Sequence, residues 1–222
     1  VAGFYALVQD ISEAKRAEAE LRESEARFRA MADCAPAPVW VTSAEGIEFV
    51  NKAYVEMAGL PADELKGDIW TRLIHPDDLP AVIEARAQAW RDRSAYVYDG
   101  RFRTADGEWR WMRVSSRPRF GDGGALGGYV GMAVDITDSK RAEAELRESE
   151  ARFRTMADSA PAPVWVTNEA GIEFANRALA EFTGLGFSEL LGGAWMRLCH
   201  PADLPEVQAR REQAWRDQAP YE

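Results

Sequence analysis

The sequence repeats itself after 125 residues. The stretch KRAEAELRESEARFRAMADCAPAPVWVTSAEGIEFVN, which begins at Lys15, returns at Lys140 as KRAEAELRESEARFRTMADSAPAPVWVTNEAGIEFAN. The register then holds without a gap as far as the QAWRD segments at Gln88 and Gln213. Because a long repeat defines the structural unit, we expect copies of one domain, each complete copy spanning 125 residues.

The repeat predicts where each unit begins and ends. Residues 3–12 align with residues 128–137, so the chain is expected to open with the end of an earlier unit. The predicted segments are the last strand of a preceding unit at 1–13, a linker helix at 14–33, a complete domain at 34–138, a linker helix at 139–158, and an incomplete domain at 159–222.

The incomplete copy lacks counterparts of the last strands of the complete one. We therefore expect only the complete domain to close its sheet unaided. Exposed sheet edges and apolar surface in the incomplete copy predict partial disorder, association with another chain, or completion by a borrowed strand. Residues 3–11 are one available strand.

Composition and charge exclude several classes of function. The net charge of −10 disfavours attraction to nucleic acid or to an anionic membrane surface. No apolar run of about 18 residues and no signal-peptide pattern is present, so we expect a soluble fragment. Cys34 and Cys199 form neither a disulfide framework nor a metal motif, which favours a reducing cytoplasm. A parent chain anchored in a membrane outside this segment stays open.

The linker segments are predicted to be amphipathic helices. Residues 12–31 are rich in Ala, Glu, Arg, Lys and Leu and contain neither Gly nor Pro. Leu21 and Phe28 lie on a narrow apolar stripe, which Leu146 and Phe153 repeat. A narrow stripe favours a partner helix, so we predict a parallel coiled coil that makes the protein a homodimer. The alternative is a solvated helix that packs on its own domain.

The complete domain is predicted to be of the α+β class. Val39–Thr42 and Ile47–Val50 are typical of a hairpin, and Asn51 is suited to cap the helix that follows. Asp106 and Gly107 form a tight-turn signal between two later strands, before a last strand at 129–136. The pattern predicts a five-stranded antiparallel sheet with helices on one face: helices at 52–58 and about 79–93, with short helical turns at 61–65 and 68–73 between them.

Four motifs in this order resemble a PAS domain of bacterial sensor histidine kinases and related signalling proteins. They are IEFVNKAYVEMAG from Ile47, HPDDL from His75, DGEWRWMRV from Asp106 and GYVGMAVDIT from Gly128. Their order and spacing are specific, and the repeat supplies most of them twice. The resemblance covers nearly the whole chain and implies a PAS fold, in which a cupped sheet and its helices enclose a small cavity.

The resemblance also implies a relay junction at the end of the last strand. PAS domains couple the sheet to the outgoing helix through an Asp-Ile-Thr motif, here Asp135, Ile136 and Thr137. The corresponding residues near the start of the chain are Asp10, Ile11 and Ser12, in which serine keeps the hydroxyl of the threonine. A hydroxyl at a helix start can accept from a free backbone amide, and a neighbouring carboxylate can fix the strand end. Such a junction would be stiff.

We predict no cofactor, metal or catalytic centre. Members of the family that bind haem carry a His on the long helix, whereas residues 79–93 contain none, and His75 and His200 precede that helix in each copy. Light-sensing flavin members need a reactive Cys in a short helical motif, and neither cysteine lies in one. The glycine-rich loop at 121–128 lacks the Lys-Ser or Lys-Thr of a phosphate-binding loop. The fragment is therefore expected to be non-catalytic.

Large aromatic residues are the candidates for ligand contact. A small, mostly apolar or aromatic molecule would suit a cavity lined by Trp70, Tyr98, Phe102, Trp111 and Met132. The alternative is that these side chains fill the core, as large aromatics more often do.

These features predict a sensory and dimerising relay within a longer signalling protein. A signal in the core would shift the last strand, and the helix that follows would carry the shift to the next unit. The expected partners are neighbouring PAS units and an output domain, either a histidine kinase or a nucleotide cyclase. A receptor for a ligand or cofactor and a passive scaffold are the alternative functions.

Overall fold

The computed structural model describes residues 12–217 of the chain. The chain divides into two compact units, Val1–Arg141 and Ala142–Glu222. Asp10 and Ile11, together with the strand predicted at the start of the chain, lie outside the described residues, and Ser12 is the first residue of a helix. None of the helices described is both long and apolar enough to cross a lipid bilayer.

The first unit opens with a linker helix, followed by a hairpin, a helical region and three long strands. Its elements are α1 (Ser12–Asp33), β1 (Val39–Ser43), β2 (Gly46–Val50), α2 (Lys52–Ala58), α3 (Trp70–Leu73), α4 (Leu79–Asp92), β3 (Tyr96–Arg103), β4 (Trp109–Phe120) and β5 (Leu126–Asp135). The helix α5 (Thr137–Ser159) follows β5 and leads to the second unit.

The strands form one antiparallel sheet in the order β2-β1-β5-β4-β3. The turn between β3 and β4 places Gly107 at φ 84°, a conformation that glycine adopts without steric cost. In the same turn the Glu108 amide donates to Asp106 Oδ1 at 3.1 Å. β5 enters between the two hairpins and pairs with β1 and β4. The predicted α+β class and the five-stranded antiparallel sheet are confirmed.

The helices cover one face of the sheet, and the core lies between the two layers. Because side chains alternate along a strand, every second residue of β3, β4 and β5 points towards the helices. The connection between α2 and α3 adds the fully buried Leu65. Tyr129 of β5 holds α4 to the sheet, since its hydroxyl donates to the Ala89 carbonyl at 2.6 Å. The inward side chains of the three strands include Phe102, Met112, Val114 and Ala133.

Both caps predicted for α2 are present, and α3 begins two residues later than the predicted segment 68–73. Asn51 caps α2 by accepting from the Tyr54 amide at 3.0 Å, and Gly59 ends it at φ 67°. Residues 61–65, predicted as a short helical turn, form turns without a helix. The Glu64 amide donates to the carbonyl of residue 61 at 3.0 Å, which closes one turn but starts no helix.

The second unit repeats the first part of this architecture. Its elements are β6 (Trp165–Asn168), β7 (Gly171–Ala175), α6 (Arg177–Thr183), α7 (Phe187–Leu190) and α8 (Leu204–Asp217). β6 and β7 pair as a two-stranded antiparallel hairpin. Beside them is a groove of about 540 Å³ with a mostly apolar lining that includes Trp165, Ile172, Leu179, Phe182, Trp195 and Leu198.

This groove is the open side of the core of the second unit. The equivalent side of the core in the first unit is covered. Phe182 is 80% exposed there, whereas the equivalent Met57 packs against the core of the first unit. In the first unit, β3, β4 and β5 supply the opposite wall, because their inward side chains belong to that core. The described part of the second unit contains no such strands.

Asp78 at the start of α4 is clipped to β3 by Arg101. Its Oδ2 accepts from the Arg101 backbone amide at 2.8 Å and from Nε at 2.9 Å, and its Oδ1 accepts from the guanidinium at 2.7 Å. The hydrogen bonds from Arg101 lower the pKa of the Asp78 carboxyl, against the opposing effect of burial. The clip therefore joins the helical layer to the sheet through a charged pair.

Replacing Asp78 with Asn should lower the melting temperature near pH 7 by about 4 to 8 °C, because the ion pair becomes a hydrogen bond between the Arg101 guanidinium and a neutral amide. A carboxyl whose pKa falls on folding contributes stability above its ordinary pKa of about 3.9, and loses that contribution as the pH falls through the folded-state pKa. The difference in melting temperature between wild type and Asp78→Asn, followed by circular dichroism, is therefore expected to shrink on acidification.

The matched control is Asp77→Asn. Asp77 is 74% exposed and lies 3.4 Å from the same guanidinium, so its replacement should change the melting temperature little. A difference between wild type and Asp78→Asn that stays constant under acidification would contradict the assignment.

Candidate functional site

The junction between β5 and α5 is locked by three short hydrogen bonds. The Trp111 amide of β4 donates to Thr137 Oγ1 at 3.0 Å, and the Ile136 amide donates to the Trp111 carbonyl at 2.8 Å. The Thr137 amide donates to Asp135 Oδ1 at 2.8 Å. The Asp135 carboxylate therefore caps the helix, while the threonine hydroxyl accepts from a neighbouring strand rather than from the helix's own amides.

Charged side chains extend the junction to β3. Lys140 Nζ of α5 lies 3.3 Å from Asp99 Oδ2, and Arg113 Nε lies 2.7 Å from Asp99 Oδ1. These hydrogen bonds, first from Arg113 and then from Lys140, lower the pKa of Asp99. Lys140 Nζ and the Arg101 guanidinium each lie 5.5 Å from the Trp111 ring centre. The first turn of α5 is thus joined to three strands.

A second clamp, at Asn51, joins the incoming helix α1 to the core. The Asn51 side chain is fully buried, and its Nδ2 donates to the Ala32 carbonyl at 2.9 Å and to the Ala37 carbonyl at 3.0 Å. Its Oδ1 accepts from the Val39 amide at 2.8 Å and from the Tyr54 amide at 3.0 Å. One amide group therefore ties the end of α1 to the start of β1 and to α2.

The second unit builds the same clamp from the repeated residues. Asn176 donates to the Ala157 carbonyl at 2.8 Å, as Asn51 does to Ala32. Beside each clamp an aspartate accepts from the next backbone amide: Asp33 from Lys52 at 2.7 Å, and Asp158 from Arg177 at 2.8 Å. Sequence reasoning identified Asn51 only as a helix cap. The signal that could have shown more is the retention of both polar residues between the two copies.

The core of the first unit contains a cavity of about 40 Å³. Three of the predicted ligand contacts, Trp70, Tyr98 and Phe102, line it. Burial raises the pKa values of Tyr54 and Tyr98, so both phenols stay protonated at neutral pH. The complete lining consists of Trp40, Thr42, Ile47, Tyr54, Trp70, Ile74, Val82, Arg86, Tyr96, Tyr98 and Phe102.

The structure does not bring Trp111 and Met132 to this cavity, and the sequence interpretation that placed them there is corrected. Both side chains point to the opposite face of the sheet, because their neighbours Met112 and Ala133 are the buried residues. Met132 is 43% exposed, and Trp111 lies beside Lys140 and Arg101. Trp111 thus belongs to the outgoing junction.

The cavity also limits the size of a ligand. Sites for drug-sized molecules usually measure about 300 to 1,000 Å³, several times this volume. A water-sized group needs about 10 to 15 Å³, so the space suits about three such groups. Within residues 12–217, no three His, Cys, Asp or Glu side chains come together as a metal-binding group.

The apolar stripe of the linker helices is only partly covered. Leu21 and Leu146 are each 61% exposed. Phe28 lies 5.2 Å, between ring centres, from Phe49 of β2, and Phe153 makes the equivalent contact at 5.1 Å with an aromatic of β7. The phenylalanines predicted for the dimer therefore also contact their own units.

Comparison with known proteins identifies the family. A family model described as PAS fold matches residues 47–133, and one described as PAS domain matches residues 151–219. The chain belongs to the PAS domain family. Neither model describes a catalytic domain.

Two relatives of this chain are much longer than it is. An uncharacterized protein of Sinorhizobium fredii is 30% identical over 91% of this chain and 25% of its own length. The two-component sensor PprA of Pseudomonas aeruginosa is 29% identical over 86% of this chain and 21% of its own length. This chain therefore spans about a quarter of the length of these relatives.

A solved structure shares the fold. An RNA-binding light-oxygen-voltage receptor superposes with a TM-score of 0.52 at 20% sequence identity, covering 60% of this chain and 38% of its own. At this identity the likeness shows the fold alone.

Replacing Thr137 with Val should lower the free energy of unfolding by about 1 to 2 kcal/mol, because the Trp111 amide loses its acceptor. Urea unfolding measures the loss, and hydrogen exchange at the Trp111 amide should be faster. Thr155→Val is the matched control on the same helix, since Thr155 Oγ1 donates only one turn back, to the Ala151 carbonyl at 2.9 Å. Equal effects of the two replacements would contradict the role given to Thr137.

Proposed function

We propose that this chain is a relay module of a longer sensory protein, and that it passes changes between its PAS cores and its linker helices. The observation that carries the proposal is that side-chain hydrogen bonds tie both helices to the first unit. Asn51 and Asp33 tie α1, and Asp135 and Thr137 tie α5. A displacement of the sheet is then coupled to both helices.

β3 supplies a route from the cavity to the outgoing helix. Tyr98 and Phe102 line the cavity, and the intervening Asp99 lies on the other face of the strand. Asp99 pairs with Lys140 in the first turn of α5. A rearrangement inside the cavity that shifts β3 would therefore move an ion pair that holds α5.

The full-length protein can test the relay at Asp135. Asp135→Ala removes the carboxylate that caps α5, so the response of the output activity to the signal should change by about fivefold or more. Asp138→Ala is the matched control, because this neighbouring carboxylate is fully exposed and lies 3.8 Å from Arg141 on its own helix. An unchanged response in Asp135→Ala would favour a passive scaffold.

We further propose that the protein is a homodimer through its linker helices. Leu21 and Leu146 occupy the same place in the repeat, and both expose most of their apolar surface. Ion pairs one turn apart, such as Glu18 with Arg22 and Glu143 with Arg147, lie along the same helices. Burying the leucines against a second chain would remove apolar surface from water.

Disulfide crosslinking can test the parallel arrangement. Leu146→Cys should give a crosslinked dimer on mild oxidation, because the two copies would meet at the same position. The repeat suggests a cysteine-free background, Cys34→Ser with Cys199→Ile, since the equivalent positions hold Ser159 and Ile74.

The control for crosslinking is Glu148→Cys. Two residues further along a helix, the side chain points roughly to the opposite side, so crosslinking should be much weaker. Equal yields at the two positions, or none at Leu146, would contradict the parallel coil and favour a helix that packs on its own domain.

A second candidate function is that of a receptor, which the cavity lined largely by aromatic side chains favours. A small molecule released in stoichiometric amount from the denatured protein, and identified by mass spectrometry, would support it. A purified protein that releases nothing, with an absorption spectrum of protein alone, would leave the relay as the function.

The output is proposed to lie elsewhere in the full-length protein. The similarity to a two-component sensor supports a histidine kinase, with a nucleotide cyclase as the alternative. We propose that this chain itself is non-catalytic and lies in the cytoplasm, where the thiols of Cys34 and Cys199 would stay reduced. Its partners would be neighbouring PAS units and the output domain, and its charge of −10 argues against nucleic acid or direct membrane contact.

A further inference from the structure

Among the described residues that line the cavity, Arg86 alone carries a charge. It belongs to α4, it is half-buried, and its guanidinium carbon lies 4.9 Å from the centre of the Trp70 ring. The face of an indole attracts a cation but supplies no full negative charge. Arg86 therefore places a cation at an aromatic cavity, and the indole of Trp70 does not neutralise its charge.

No carboxylate in the described part of the chain forms an ion pair with Arg86. Glu84 on the same helix pairs with Arg91 at 3.1 Å, and Asp92 accepts from Gln88 at 2.6 Å. Holding a guanidinium in a partly buried, apolar site costs free energy unless an anion or hydrogen-bond acceptors accompany it. An anion bound at this position would therefore stabilise the Arg86 guanidinium.

The phenols of Tyr54, which is buried, and Tyr98, which is partly buried, lie in the same lining as Arg86. Tyr54 and Tyr98 are protonated at neutral pH, so each can donate its hydroxyl hydrogen. Burial raises the pKa of Tyr98, and the positive charge of Arg86 opposes this with a smaller lowering effect. A guanidinium fork with nearby hydroxyl donors is the combination that binds a carboxylate.

The repeat places an arginine over a tryptophan ring a second time, without a counterpart of the Tyr54 phenol, since Leu179 occupies that position. Arg211 is the counterpart of Arg86, and its guanidinium carbon lies 5.4 Å from the ring of Trp195, the counterpart of Trp70. It lines the open groove of the second unit. Its Nε is buried without a hydrogen-bond partner, while the guanidinium donates to the Asn168 carbonyl at 2.6 Å. An unsatisfied buried donor beside a groove also calls for an acceptor.

We propose that the cavity of the first unit binds a short-chain carboxylate, held by the Arg86 guanidinium and the hydroxyls of Tyr54 and Tyr98. A cavity of about 40 Å³ suits an anion with about three or four non-hydrogen atoms, the size of formate or acetate. This inference rests on the receptor alternative and does not require the relay.

The test is a titration of the whole chain, labelled with ¹⁵N, in which the arginine Nε–H resonances are followed by NMR. Sodium formate and sodium acetate are the anionic probes, acetamide is the neutral probe of similar shape, and sodium chloride controls for ionic strength. We expect the Arg86 resonance to shift saturably with a carboxylate and not with acetamide. An equal response to chloride would show a nonspecific anion effect and overturn the proposal.

Variants assign the site. Arg86→Gln should weaken acetate binding about 10- to 100-fold, because a charged hydrogen-bonding partner is lost. Arg211→Gln, the matched change in the second unit, should leave the acetate-dependent shift of the Arg86 resonance unchanged. Binding that survives Arg86→Gln, or that is lost with Arg211→Gln alone, would overturn the assignment to this cavity.

A milder variant covers the case in which Arg86→Gln does not fold. Tyr98→Phe keeps the ring and removes one hydroxyl, so it should weaken acetate binding about threefold to tenfold, and unchanged affinity would contradict the proposed contact. Crosslinking at Leu146 and the response of Asp135→Ala report on the relay without added carboxylate. Failure of the carboxylate site and failure of the relay are therefore distinguishable.

Discussion

The pairing of β5 with both β1 and β4 is the constraint on which the first unit depends. Val41 of β1 pairs with Val130 of β5, so residues far apart in sequence must meet before the sheet closes. Closing so long a loop has an entropic cost that local hairpins avoid. The second unit shows the contrast, since its hairpin and helices are formed beside a groove of about 540 Å³. β5 also leads into α5 after one residue, so the strand that closes the sheet also fixes the direction in which the helix leaves.

The alternation of side chains along β3 gives this sheet two functional faces. Tyr98 and Phe102 contribute to the cavity, while Asp99 and Arg101 take part in the charged network around Trp111. Adjacent residues of a strand move together, so a displacement of a side chain on one face also displaces its neighbour on the other face. The proposed relay needs no long chain of intermediates, because a single strand separates the cavity from the outgoing helix.

Much of the fold was predictable because its signals are local. The hairpin at Gly107, the cap at Asn51 and the stop at Gly59 each depend on a few neighbouring residues, and all three are present. The repeat and the Asp-Ile-Thr motif also located the outgoing junction, although the hydroxyl of Thr137 accepts from a strand that only the folded chain brings near.

The candidate site was harder to predict for identifiable reasons. Along β4, Trp109 and Trp111 alternate with Met112 and Val114, so both faces look apolar and periodicity cannot tell which one is buried. Arg86 on an amphipathic helix is typical of a solvent-facing residue, and only the packing of α4 over Trp70 brings it to the cavity. The hydrogen bond from Asn51 to the Ala32 carbonyl depends on where the incoming helix α1 ends.

The repeated clamp affects how the number of units in such a protein can change. Asn51 and Asn176 receive their incoming helices through the same hydrogen bonds, 125 residues apart, and the two linker sequences are identical from Lys15 to Arg29 and from Lys140 to Arg154. Duplicating or deleting exactly one period would therefore create no new junction and would keep the phase of every linker helix. A gene that recombines between its own copies could lengthen or shorten the array while each junction stays chemically complete.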